Sequence, residues 1–297
     1  MPNARVMATS VQRISMDAWA VVACVCARIF LLYRISAQSV EMNRCAQISC
    51  ATMNAMRILL LSDIHANLGA LEAALRAAPP HDSVWCLGDV VGYGPQPNEC
   101  VERLRQLDAL TLTGNHDQGA LGNVTLELFR DAARRALEWT RAALTADNAA
   151  WLAARPSMQH LRAQDLTLVH ASLRDPLWEY IDKPRVAYEN MALLKTAYGF
   201  FGHTHHPAAY HLQADGMLLK LSLTPNEPVA VTSKFLFNPG SIGQPRDGDP
   251  RAAFALYDNG AGTLTLHRVE YDIAVTQRVM RQLHLPVRLV ERLSQGA

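Results

Sequence analysis

A chain of 297 residues, 49% hydrophobic and 19% charged, has the composition of a folded globular protein and is long enough for one large domain or two small ones. Its formal net charge of +1 and the lack of any long Lys/Arg run predict no polyanion-binding surface, which excludes nucleic acid as an obligate partner but not a small phosphate ester. Cys24, Cys26, Cys45 and Cys50 stand in the first 55 residues, and only Cys86 and Cys100 stand in the rest. These last two fall inside apolar runs and read as reduced core thiols in a reducing, cytoplasmic compartment.

Residues 1–55 differ from the remainder. Ala18 to Tyr33 is apolar but broken by Arg28, and it is shorter than the roughly 20 residues a spanning helix needs. Three readings stand in order of preference: a dispensable extension or one upstream of a true start at Met56, a membrane-associated segment, and a cleaved signal with Arg5 and Arg13 as its charged start. The expected organisation is therefore a non-family extension over 1–55 and one domain over 56–297, with no obligate membrane partner and an open oligomeric state.

From Arg57 the pattern becomes regular. Ile58 to Leu61 is a continuous apolar run and predicts a strand covered on both faces, ending at Asp63-Ile64-His65. Leu68, Leu71 and Leu75 recur at helical spacing, with Asn67 as N-cap and Pro79 as the stop. Ser83 to Leu87 is the next strand, ending at Gly88-Asp89, and residues 90–95 form a glycine-punctuated loop containing Tyr93. Asn98 to Leu107 is a helix. Leu110 to Thr113 is a third strand, ending at Gly114-Asn115-His116-Asp117. Strand alternating with helix implies a parallel sheet with right-handed crossovers.

Between residues 125 and 154, Phe129, Ala133, Ala136, Leu137, Thr140 and Leu144 trace one helical face. A second helix capped by Thr145 follows, the pair forming a lid or an outer layer. Leu166 to Val169 returns to strand and ends at His170, and Tyr198 to Phe201 ends at Gly202-His203-Thr204-His205. Residues 207–238, 252–258 and 263–271 read as meandering strands. Ile273 to Leu293 reads as helix broken at Leu285-Pro286.

The strand ends thus offer Asp63, His65, Asp89, Asn115, His116, His170, His203 and His205. That is too many groups for one tetrahedral site and suits two adjacent cations sharing a carboxylate, with Asp89 as the bridge. Imidazoles, carboxylates and an amide oxygen, with no thiolate, suit manganese, iron, zinc, cobalt or nickel better than a dedicated magnesium or calcium site. Arg174 is a candidate phosphate clamp or else part of a local ion pair, Tyr93 a candidate substrate contact or else a packed turn aromatic. His206 reads as a surface or outlying residue, and His81, His160, His211, His267 and His284 as solvent-facing. The Asn238-Pro239-Gly240-Ser241 turn reads as structural.

The ordered motifs D-x-H, GD, GNH[DE], H and GH-x-H resemble those of the calcineurin-like metallophosphoesterases, and within them the small prokaryotic phosphodiesterase branch more than the large protein phosphatases. The resemblance spans residues 57 to about 271. It implies an α/β sandwich of two mixed β-sheets covered by helices. It further implies one metal held by Asp63, His65 and His205, a second by Asn115, His170 and His203, and Asp89 shared between them. The implied chemistry is hydrolysis of phosphomonoester or phosphodiester bonds by a metal-bridging hydroxide, with two divalent transition ions, manganese foremost. His116 would protonate the leaving oxygen and Asp117 would orient its ring. Ala171-Ser172 stands where a glycine is common. The rival readings are a fold-sharing, metal-containing interaction module without turnover, and a phosphatase acting on dinucleoside polyphosphates or proteins.

Overall fold

The computed structural model describes residues 55–297; the readings made for the preceding segment lie outside the described residues. β1 spans Arg57–Leu61, and its alternation explains why Ile58 to Leu61 are all apolar. Leu59 and Leu61 face a core beneath the helices, while Ile58 and Leu60 face a second core between two sheets. Complete burial of such a side chain is worth about 1.5–3 kcal/mol, so both faces of β1 select against any polar residue.

Helix α1 (Leu68–Ala77) starts at Asn67, whose side chain accepts the Ala70 amide at 3.2 Å. Then come β2 (Ser83–Cys86), α2 (Pro97–Gln106) and β3 (Leu110–Thr111). β1, β2 and β3 pair in parallel, as the alternating pattern implies. The third strand is shorter than the apolar run suggests, because Gly114 N-caps a helix, α3 (Asn115–Leu121), that the glycine-flanked motif conceals in the sequence. The pair α4 (Asp131–Ala143) and α5 (Ala146–Ala153) forms an outer layer, with Ala133, Ala136, Leu137 and Thr140 buried as the periodicity predicts.

The chain then leaves the first sheet. β4 (Met158–Leu161), β5 (Leu166–Val169) and, after α6 (Pro184–Leu193), β6 (Tyr198–Phe200) begin a second one. β7 (Ala208–Leu212), β8 (Leu218–Leu221) and β10 (Phe235–Asn238) complete it, in the order β4-β5-β6-β10-β7-β8. β9 (Pro228–Ala230), β11 (Ala252–Asp258) and β12 (Thr263–Val269) return to the first, giving β3-β2-β1-β11-β12-β9. β11 lies antiparallel against β1, so each sheet mixes parallel and antiparallel neighbours. The protein is thus a sandwich of two six-stranded mixed sheets flanked by helices. The tail forms α7 (Ile273–Gln282) and α8 (Val287–Arg292), separated at Leu285-Pro286. Among the described residues no helix is long and apolar enough to cross a membrane.

Both Cys86 and Cys100 are buried free thiols. His206 is exposed, as expected. His267 departs from its expected solvent-facing position: its ring stacks on Phe254 with centroids 5.2 Å apart, and Nδ1 meets Asn226 Oδ1 at 2.8 Å.

Candidate metal centre

Five parallel strands deliver the polar residues to one place, the carboxyl ends of β1, β2, β3, β5 and β6, where open α/β sheets put their sites. Asp63, His65, Asp89, His203 and His205 all adopt left-handed backbone angles, with φ between 50° and 65°. That conformation is costly for residues with a Cβ and persists where surrounding bonds impose it. Asn238 Nδ2 donates to Gly202 O at 2.7 Å and to Thr204 Oγ1 at 3.0 Å, and Ser241 Oγ donates to Asp63 O at 2.8 Å. The structural reading of the 238–241 turn is therefore specific: it ties the two ligand loops together. Two glycines make the crowding possible. A Cβ on Gly114 would lie 2.1 Å from Asp89 Oδ1, and one on Gly202 would lie 2.1 Å from Ser62 Oγ.

Each imidazole of the cluster is anchored by one nitrogen to a backbone carbonyl. His65 Nδ1 meets Val91 O at 3.2 Å, His170 Nδ1 meets Leu87 O at 2.9 Å and His205 Nδ1 meets Gln244 O at 2.6 Å. His203 uses Nε2, 3.2 Å from Trp178 O. A carbonyl can only accept, so these nitrogens carry the hydrogens, and the opposite nitrogens present lone pairs to the site.

Two groupings result. Ligand-type atoms of Asp63, His65, Asp89 and His205 lie within 4.8 Å of one another, as do those of Asp89, His170 and His203. Asp89 Oδ2 belongs to both, 3.7 Å from His65 Nε2 and 3.5 Å from His170 Nε2. Asn115 Oδ1 stands 3.3 Å from His170 Nε2, beside the second grouping. Asp63 Oδ1 and Asp89 Oδ2 are buried without a hydrogen-bond partner, while their sister oxygens are satisfied by Ser62, His203 N and His116 N. Acceptors converging on acceptors, with orphaned carboxylate oxygens at the centre, fit a divalent cation.

The electrostatics agree. Burial, augmented by the neighbouring Asp89, raises the Asp63 carboxyl to about 7 despite the opposing influence of His170. Burial and then Asp117 hold Asp89 well above the usual carboxylate range. Burial pulls His65, His203 and His205 well below the ordinary imidazole value, which keeps them neutral as ligation requires.

His116 is buried beside this cluster. Its ring packs 4.2 Å from Tyr93, 4.9 Å from His65 and 5.1 Å from Phe129, measured between centroids, and Nδ1 has no partner. Burial, followed by Arg246, lowers its pKa well below the usual value. The expected pairing with Asp117 is absent: Asp117 Oδ1 accepts the Val91 amide at 2.9 Å and Oδ2 accepts the Gly114 amide at 2.9 Å. At the third position of α3 that carboxylate reaches back to the helix start, so it joins two ligand loops and leaves the His116 ring alone.

Arg174 also departs from the phosphate-clamp reading. It bonds Glu179 and Glu189, with Nε 3.0 Å from Glu179 Oε2, so its fork is already filled by two carboxylates. Asp175, its sequence neighbour, instead accepts the Leu177 and Trp178 amides. Tyr93 does line the site.

Sequence reasoning missed Arg246. It directly follows Pro245 after the 238–241 turn, and Nη2 donates to Tyr93 Oη at 3.3 Å and Gln244 Oε1 at 3.1 Å. Nε is buried without a partner. Burial opposes its charge, but Tyr93, Tyr180 and Asp63 outweigh that and raise its pKa. Tyr180, half-exposed, stacks on His203 at 4.2 Å. Trp178 meets Phe129 at 5.1 Å, so aromatic rings wall the site.

A two-sheet sandwich with a buried Asp/His cluster at its strand ends defines a metallophosphoesterase-type α/β protein. Residues 56–261 match the calcineurin-like phosphoesterase superfamily domain, and the chain belongs to that family. It is 35% identical over 246 residues to an uncharacterized protein of Methanocaldococcus jannaschii, covering 80% of this chain and 98% of the relative. It is 43% identical to a metallophosphoesterase from Sphaerobacter thermophilus of known crystal structure, with a TM-score of 0.75 over 82% of this chain and all of that one. A symmetrical bis(5'-nucleosyl)-tetraphosphatase of Thioalkalivibrio sulfidiphilus is 32% identical, over 42% of this chain and 47% of its own length. The family indicates a phosphoesterase hydrolase acting on small phosphate esters, and the cluster a candidate divalent-metal site.

Proposed function

We propose that the protein hydrolyses phosphomonoester or phosphodiester bonds with two divalent transition ions, manganese foremost. The observation that carries this is the pair of orphaned oxygens, Asp63 Oδ1 and Asp89 Oδ2, facing lone pairs of carbonyl-anchored imidazoles. Asp63, His65 and His205 would hold one ion, Asn115, His170 and His203 the other, and Asp89 both. Such ions acidify water and neutralise charge on phosphoryl oxygens.

The chain's own groups do the rest. As water adds to phosphorus, the ester P–O bond breaks and the leaving oxygen takes a proton, which His116, buried beside the cluster with Nδ1 unpartnered, would give. A phosphate dianion beside the ring favours its protonated form. Tyr93 packs on His116 and its hydroxyl holds Arg246, which would set a cation beside the phosphate. The aromatic wall of Phe129, Trp178 and Tyr180 limits water. Buried free Cys86 and Cys100 support a cytoplasmic location.

Cleavage of dinucleoside tetraphosphates is a second reading, supported by the 32% identity over 132 residues to a symmetrical bis(5'-nucleosyl)-tetraphosphatase. The test is metal analysis with a phosphate-ester panel, run with manganese and with chelator on wild type and Asp89→Asn. Removing the shared charge should lower metal content and abolish turnover together. Full occupancy with normal turnover in that variant would remove the bridging role. A metal-loaded wild type inert on every ester would favour the interaction-module alternative.

A further inference from the structure

The near-neutral net charge conceals a local concentration of cations. A groove of about 460 Å³ opens on the far side of Tyr93, bounded by Arg130, Arg135, Arg288 and Arg292. That size is within the roughly 300–1,000 Å³ of ligand sites. Asp131 also lines it, but its carboxylate is taken by Arg134 at 2.7 Å and Arg135 at 3.8 Å. Arg292 Nε donates to a terminal oxygen of Ala297, the last residue of the given sequence, whereas neither Arg130 nor Arg288 forms an ion pair among the described residues.

The folding reason for this concentration is plain. The apolar face of α8, Leu289, Val290 and Leu293, packs with Ala133, Ala136 and Tyr93 in one cluster. Burying that face turns Arg288 and Arg292, four residues apart on the same helix, toward the start of α4, where Arg130 stands. Arg292 is half-buried, and burial, followed by repulsion from Arg246, brings its pKa down to about 10, with Arg288 and Arg130 adding to that repulsion. Arg130 and Arg288, held at a concave surface beside two further guanidinium groups and with no carboxylate of their own, suit an incoming anion.

The groove is joined to the metal centre by two residues. Tyr93 lines it and packs against His116, and Phe129, adjacent to Arg130, also packs against His116. Arg246 contacts Tyr93 through its hydroxyl, with an unpartnered buried Nε of its own. Guanidinium groups therefore run from the cluster, past the proton-donating position, into the groove.

We infer that this arginine groove is a subsite for a second phosphate group of the substrate, carried beyond the scissile phosphate. It selects esters or anhydrides with more than one phosphate over simple monophosphates. The inference rests on the hydrolase reading for the position of the scissile group, but anion binding in the groove can be measured without turnover.

The test is calorimetric titration of the metal-loaded full chain with AMP and with the methylene analogue of ADP, which differ by one phosphate. The comparison is wild type against Arg130→Gln/Arg288→Gln, both exposed positions outside the metal cluster. A charge-assisted contact to phosphate gives wild type a preference of roughly tenfold for the diphosphate, which collapses toward unity in the variant. Turnover of bis(p-nitrophenyl) phosphate, which carries one phosphate, stays unchanged in the variant. Equal binding of the two nucleotides by wild type, or a preference that survives in the variant, overturns the subsite. If wild type hydrolyses no ester yet the preference appears and is lost in the variant, the subsite stands and the hydrolase reading falls.

Discussion

His65 and His205 lie 140 residues apart in sequence, and their Nε2 atoms face each other at 3.0 Å. Both rings spend their Nδ1 hydrogens on carbonyl oxygens, so two lone pairs meet at hydrogen-bond distance with no hydrogen between them. Without a cation this contact repels; with one it becomes two ligand bonds. His205→Ala should therefore cost little stability in chelator-treated protein and several degrees of melting temperature in metal-loaded protein. Equal costs in both states, read by calorimetry, would mean that the pair is not a metal site.

For His116 the readout is leaving-group dependence. General-acid help is worth about 10²- to 10⁴-fold on a poor leaving group and little on one that departs as a stable anion. His116→Ala should keep its metals, lose rate steeply on an alkyl ester and much less on a nitrophenyl ester. Equal losses on the two substrates would assign the ring to binding, and loss of metal would make it a ligand.

Asp117 gives the opposite expectation from the one its place beside His116 suggests. Its two oxygens hold the Val91 and Gly114 amides, and a buried hydrogen bond to a charged group is worth about 1.5–3 kcal/mol. Asp117→Ala should destabilise the fold by about 2–4 kcal/mol, from two such bonds that partly share their cost. Activity and metal content should fall together in denaturant titrations and assays. An unaltered stability with a shifted pH–rate profile would restore the ring-orienting role.

The loop that carries Trp178 O to His203 is braced by Glu179, which accepts from Ser172 Oγ at 2.6 Å, from Asn190 Nδ2 at 3.2 Å and from Arg174. Arg174 foremost holds the Glu179 carboxyl down to about 2 from an ordinary 4.5. A carboxyl with a depressed folded pKa contributes stability that is complete above its unfolded value and disappears as pH falls toward the folded one. The stability deficit of Glu179→Gln should thus be constant above pH 4.5 and shrink below it. The network is largely exposed, so screening keeps the effect near the ~0.2–1 kcal/mol of surface pairs. A deficit that grows on acidification, in urea titrations from pH 6 to 3.5, would contradict this.

Local chemistry made much of the site legible. Apolar runs that stop at a metal-type ligand appear at Asp63, Asp89, Asn115, His170 and His203, directly after a glycine at Asp89, Asn115 and His203, because a strand's end and its turn are adjacent in the chain. The register of helical faces on α1 and α4 was equally readable, since period 3.6 depends only on neighbours. By itself the sequence determined most of the strands and helices, though not α3, β4 or α6, and which side chains are offered at the strand ends. Tertiary structure alone decided that β11 crosses back to pair with β1, and that Asp117 caps backbone while Arg174 is consumed by Glu179 and Glu189. It alone brought Arg246 to Tyr93 across 153 residues and gathered Arg130, Arg288 and Arg292 around one groove. These are contacts between distant segments, fixed by how two sheets close on each other, and no short-range pattern encodes them.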